Sequence, residues 1–179
     1  MKTVKQKEKE AYTAMKSVFG YKNPLAAPHL MKVVIASGTG TLLKKDKHKN
    51  DFIIERLAKI TGQRAVTKRA KKSIAQFKLR QGDPVGVMVT IRGARMYGFL
   101  DKYFNVALPR TKDFRGVDAK IVDSMGNATI AVKEHTIFPE TADEELKDVF
   151  GFAMTIVTSA KTKEEAKMFL ELIGIPFKK

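Results

Sequence analysis

Apolar residues recur along this chain at two periods, and each period predicts a kind of element. Between residues 4 and 19, Val4, Ala11, Met15, Val18 and Phe19 fall at helical intervals with lysines between them, until Gly20 and the Asn23-Pro24 pair break the repeat. An amphipathic helix is expected there. Val33-Val34-Ile35 is a β-branched run that enters a glycine-rich bend at Gly38 and Gly40, the pattern of a strand ending in a turn. From about Asp46 to Ile60, Ile53, Leu57 and Ile60 share a helical face with Phe52 and Ile54 beside it, and Gly62 is placed to cap that helix.

The later part alternates more often. Residues 63–69 can form a strand. In "VGVMVTIR", Val85, Val87, Val89 and Ile91 point one way while Gly86, Met88, Thr90 and Arg92 point the other, so one face is core and the other wet. Gly93 begins a helix carrying Met96, Phe99, Leu100, Tyr103, Phe104 and Ala107, ended near Pro109. "KIVDSMGNATIAVKE" gives two extended runs around Gly126-Asn127, a hairpin, and "MTIVTSA" gives another β-branched run. In the last helix, Thr162 and Glu165 have capping-box spacing; Ala166, Phe169, Leu170 and Ile173 form the apolar stripe, and Gly174 stands at the stop. The expected fold is α+β: a single, mainly antiparallel or mixed sheet with helices packed on one face and the opposite face exposed. With 179 residues, an apolar share of 44% and neither repeat nor linker, one domain over residues 1–179 is expected.

Composition narrows the chemistry. Cysteine is absent, which excludes disulfides and thiol catalysis, and His29, His48 and His135 are too scattered to suggest a metal site. No apolar run approaches the roughly 18 residues of a membrane span, and the lysine-rich start lacks the apolar core of a signal peptide, so a cytosolic protein is expected. The net charge of +15 points to a polyanion, nucleic acid before an anionic membrane. That charge is polar along the chain. Residues 1–62 hold 13 Lys and Arg against 5 Asp and Glu, residues 63–115 hold 13 against 3, and residues 116–179 hold 8 against 11.

The densest cluster puts six cations into residues 68–80, between two predicted strands, and so on a long excursion from one end of the sheet. A turn of helix would bring Lys68, Lys71 and Lys72 to one face, with Ile74, Phe77 and Leu79 as apolar anchors. Cations so placed repel one another, and a phosphate backbone is their natural counter-charge. Arg64, Arg92 and Arg95 flank them. "SGTGT" lacks the third glycine of a dinucleotide fingerprint and the Gly-Lys-Ser/Thr of a P-loop, so it reads as a tight turn. The carboxylates of "ETADEELKD" suit a helix start better than a catalytic pair, and no Ser-His-Asp or metal constellation emerges, so no cofactor and no enzyme activity are expected.

Five blocks carry a family resemblance: "KVVIASGTG", "ITGQRAVTKRAKKSIAQFKLRQGDPVG", "VTIRGARMYGFLDKYFNVALPRTKDFRG", "GNATIAVKEHTIFPE" and "MTIVTSAKTKEEAKMFLELIGIPF". In order and spacing, from about residue 24 to the C-terminus, they resemble the bacterial-type large-subunit ribosomal protein five. The resemblance implies a cytoplasmic, ribosome-bound protein that attaches 5S RNA to the large subunit in the central protuberance, beside 23S RNA, with no homo-oligomer. It implies 5S contacts at Lys32, Gln63, Thr90 and Arg92, with Arg64 beside them. The family's usual asparagine is replaced by Ala36, and Ser37 is the neighbour that could substitute. It further implies that the basic loop, with Lys71, Lys72, Ser73, Gln76, Lys78 and Arg80, reaches the transfer RNA in the peptidyl site. The acidic C-terminal third would approach small-subunit ribosomal protein thirteen in an intersubunit bridge.

Overall fold

Five strands, β1 (Leu30–Gly38), β2 (Val66–Arg69), β3 (Pro84–Ile91), β4 (Ala128–Val132) and β5 (Phe152–Thr158), form one antiparallel sheet in the order β2-β3-β1-β5-β4. Four α-helices accompany it: α1 (Val4–Phe19), α2 (Lys49–Thr61), α3 (Gly93–Lys102) and α4 (Lys163–Ile173). The computed structural model describes residues 2–40, 42–43, 48–112, 114–143 and 148–178. Along each strand core and outward positions alternate, as the period of two requires: Val33 and Ile35 in β1, Val87, Val89 and Ile91 in β3, and Met154 and Ile156 in β5 are all buried. Among the described residues no helix is long and apolar enough to cross a membrane. Residues 1–33, 92–130 and 154–179 gather into one compact unit, and residues 34–91 and 131–153 into a second.

In the first unit, α1 packs on α4 and on α3. Its start is fixed by a capping box between Thr3 and Gln6, and its end by Gly20, whose φ of 67° is left-handed. Val4, Ala11 and Met15 are buried as the pattern predicts, but Val18 is 63% exposed. Three carboxylates tie α1 and the segment after it down: the Val4 amide donates to Asp101 Oδ1 at 2.7 Å, Tyr97 and the Leu30 amide donate to the two oxygens of Glu8, and the Tyr21 hydroxyl donates to Glu165. Burial first, and then these carboxylates, push both tyrosine hydroxyls above their ordinary range. Tyr103 is pushed up to about 12 by burial in the π-helical turn Tyr103–Ala107 that continues α3.

The α4 cap forms by half. Thr162 accepts from the Glu165 amide, but the Glu165 carboxylate turns to the amide of Lys161 instead of closing the box on Thr162. The expected hairpin is also only half present. Residues Ala119–Ile121 are 3-10 helical, and a single bridge joins Val122 to Ala128, the first residue of β4. The reason is local: Asp118 captures the Lys120 amide, and Asp123 Oδ1 captures the amides of Met125 and Asn127, turning the chain before a ladder can extend.

In the second unit, α2 lies against β3 and β2 with Ile53, Leu57 and Ile60 buried. The described helix begins at Lys49, and residues 44–47, where its start at Asp46 was expected, lie outside the described residues. Gly62 caps it at φ 70°. Lys49 pairs with Asp148 at 2.6 Å, and Phe52, Phe150 and the buried His135 ring follow one another in aromatic contact. At Gly86 a Cβ would come within 3.0 Å of the Ser37 carbonyl oxygen, so the bare backbone is what lets β3 lie so close to β1 here.

Candidate nucleic-acid interface

The outward face of the second unit follows from strand register. Val66 lies opposite Met88 and Lys68 opposite Gly86, and directly opposed residues share a face. On β3 that face continues to Thr90; on β1, alternation places Val34, Ala36 and Gly38 outward. Apart from Lys68 and Thr90 it is made of small or apolar side chains, a low platform that a nucleic-acid backbone can approach closely. Gln63 joins Thr90: its Nε2 donates to the Thr90 carbonyl at 3.2 Å, which orients the amide and leaves its own oxygen available. Thr61 fixes the Gln63 backbone from behind. Arg64 is exposed beside it.

Ser37 does not belong to this set. It is 3% exposed on the core side of β1, and its hydroxyl donates to the Gly151 carbonyl at 2.8 Å. The strand's alternation makes the substitution impossible: a residue next to Ala36 points to the opposite face. The Gly38-x-Gly40 bend is a turn, with the Thr39 amide held by the Val85 carbonyl at 3.0 Å. In the first unit, Lys32 is half-buried in β1 and Arg92 is exposed, extended at φ −139°, immediately before α3. The outward side chains of β4 and β5 there are neutral, with the Thr129 and Thr155 hydroxyls 3.0 Å apart.

The basic loop spans residues 70–83 and differs from expectation in two ways. No helical turn gathers its lysines: Lys68 belongs to β2, and the loop is a small hairpin of its own. The Ala70 amide donates to the Asp83 carbonyl and the Gly82 amide to the Ala70 carbonyl; beyond them Ile74 and Leu79 exchange both backbone bonds. Arg80 and Gln81 amides are taken by Asp83 Oδ2 and Ser73 Oγ. A 3-10 turn, Ala75–Phe77, forms the tip, closed by Lys78 in the left-handed region at φ 51°. The second difference is that Ile74 and Phe77 do not anchor the loop in the core; they are 43% and 58% exposed. Lys71, Lys72, Ser73, Gln76, Lys78 and Arg80 are all exposed around them, Lys78 at the close of the turn.

The electrostatics of these positions is uniform. Among the described residues the ion pairs involve Lys2, Lys49, Arg56 and Lys59. None involves a loop cation, nor Lys32, Arg64 or Arg92. Each therefore keeps its charge for an external anion. Of the acidic stretch, Glu140 sits in the 3-10 turn Pro139–Thr141, and residues 144–147 lie outside the described residues. Among the described residues no group of His, Cys, Asp and Glu could hold a metal ion.

Residues 23–80 match the family described as Ribosomal protein L5, and residues 84–177 match the model for the C-terminus of the same ribosomal family. The chain belongs to the ribosomal protein L5 family. L5 proteins are structural and non-enzymatic. Curated relatives named Large ribosomal subunit protein uL5 agree over nearly the whole length: that of Desulfotalea psychrophila is 48% identical, covering 96% of this chain and 98% of its own. That of Desulforapulum autotrophicum is 47% identical over 99% of both chains, and that of Thermotoga maritima 46% identical over 97% and 94%. The first L5 match ends at residue 80 and the second begins at residue 84, so most of the basic loop falls in the first of them.

Proposed function

We propose that this chain is a structural constituent of the large ribosomal subunit that binds 5S RNA through Lys32, Gln63, Arg64, Thr90 and Arg92 and stands beside 23S RNA. The basic loop contacts the transfer RNA in the peptidyl site, and the acidic C-terminal third approaches small-subunit ribosomal protein thirteen. One observation carries the reading: in a member of the L5 family, every cation at these positions is exposed or half-exposed and lacks an ion pair among the described residues. Short polar groups such as Gln63 and Thr90 suit the sugar edges of an RNA minor groove, while Lys and Arg hold phosphates.

The test is footprinting of the purified chain on isolated 5S RNA, joined to a salt titration of Arg92→Ala. A protected 5S segment is expected, with a salt slope lowered by about one unit for one lost phosphate contact. Absence of protection would overturn the 5S assignment, and an unchanged slope would remove Arg92 from it.

A further inference from the structure

The outward side of β4 and β5 carries two hydroxyls, both in the first unit, and no charge. Thr129 Oγ1 and Thr155 Oγ1 lie 3.0 Å apart across the two strands, Thr129 exposed and Thr155 half-buried. Alternation makes Ala131, Ala153 and Val157 the other outward residues of these strands, all without a polar side-chain atom. A hydroxyl has one donor and two acceptor positions, so whichever threonine donates to the other, the pair keeps an O–H and spare lone pairs to offer outward. Cross-strand threonine pairs steady a sheet, yet at a surface water would serve each hydroxyl as well, and the bond adds little there. What the pair does supply is a fixed donor and acceptor side by side, since β-branching leaves each side chain few rotamers.

A neutral pair is a poor phosphate site, because phosphates draw cations. It matches a group that is itself both donor and acceptor. In RNA that group is the ribose 2′-hydroxyl, displayed along the wide, shallow minor groove and absent from DNA. A phosphate contact stands nearby in the sheet: Lys32 is on β1, which borders β5 on the side away from β4, and it forms no ion pair among the described residues. From the spacing of the two hydroxyls, their exposure and the lack of charge around them, we infer that Thr129 and Thr155 together bind a ribose 2′-hydroxyl and so make this face select RNA over DNA. The inference rests on the reading of the sheet as a 5S RNA contact and specifies which RNA group these strands take.

The experiment uses the full chain and 5S RNA carrying 2′-deoxynucleotides at random positions, with the bound and free fractions mapped to find riboses whose hydroxyl is needed. Thr129→Val and Thr155→Val keep the shape and remove a hydroxyl; Thr129→Ser keeps it; a thermal melt of each confirms the fold. The wild type and Thr129→Ser are expected to reject RNA that is deoxy at particular riboses, and both Val variants to accept it. The Val variants are also expected to bind unmodified 5S RNA about fivefold more weakly at an unchanged salt slope, since no phosphate contact is lost. Rejection of the same deoxy positions by the wild type and both Val variants would overturn the ribose contact, even with weaker binding, because the loss would then belong to the sheet itself. A lowered salt slope would place a phosphate at the pair and overturn it as well. The two levels separate cleanly: a wild type that does not bind 5S RNA sinks the reading on which the inference rests, whereas a wild type that binds while the Val variants leave its deoxy discrimination unmoved sinks the inference alone.

Discussion

Ala36 and Ser37 are adjacent in sequence and face opposite ways, and the difference decides what each can do. Ser37 gives its hydroxyl to the Gly151 carbonyl inside the fold. Ser37→Ala is therefore expected to lower stability by about 1 kcal/mol, because a buried acceptor loses its donor, and to leave 5S affinity unchanged. Ala36→Asn places an amide on the outward face and is expected to tighten 5S binding by about 0.5–1.5 kcal/mol if the RNA presents an unmatched polar group there. Urea titration and a binding isotherm of each variant check the pair. Affinity lost on removing the Ser37 hydroxyl, at unchanged stability, would contradict the burial argument. At this scale the sequence was readable wherever alternation was strict: Thr90 and Ala36 fall outward as the period of two demands. The same rule already argued against Ser37, whose hydroxyl suggested RNA chemistry only while its parity was ignored.

Among the elements, helices and central strands were legible because long apolar stripes leave little choice of face, and Gly20, Gly62 and Gly174 mark three helix ends. The hairpin before β4 was not, because one side chain redirects it. Asp123 receives two backbone amides and the Asn127 side-chain amide. Burial pushes its carboxyl up, but the Asn127 and Met125 donors and the charge of Lys163 outweigh that and hold it below the usual carboxylate range. A lowered native value means the stabilisation is present above the unfolded value of about 3.9 and disappears as pH falls through the native one. Asp123→Asn, which keeps an acceptor and drops the charge, is expected to cost about 0.5–1 kcal/mol at pH 7, a modest figure because the turn faces water. The gap between variant and wild-type urea midpoints should narrow as pH falls from the unfolded value through the lowered native one, as the wild-type carboxyl is neutralised. A gap of constant size across that range would show that the charge has no part in the turn. The loop was misread for a related reason: its order comes from Ser73, Asp83 and a left-handed lysine, none of which leaves a periodic trace.

For the molecule as a whole, charge was the most legible property, since the excess of cations before residue 116 needs only counting. What counting could not give is that the candidate contact positions are left without ion pairs among the described residues, whereas Lys2, Lys49, Arg56 and Lys59 have them. Replacing Lys71, Lys72, Lys78 and Arg80 by Ala is expected to leave 5S affinity nearly intact and to weaken retention of peptidyl-site transfer RNA on assembled ribosomes, measured by filter retention. A large loss of 5S binding with normal transfer RNA retention would reverse the two assignments. The packing of α1 against α4 has a consequence of another kind. A chain is synthesised from its N-terminus at about 5–20 residues per second, so the first helix emerges roughly ten seconds or more before the last one exists. A helix of that length is marginal alone in water. Until α4 is made, Val4, Ala11 and Met15 lack their final cover, and a nascent chain stalled before Lys163 carries an unsheltered apolar stripe at its leading end, the part most accessible to a chaperone.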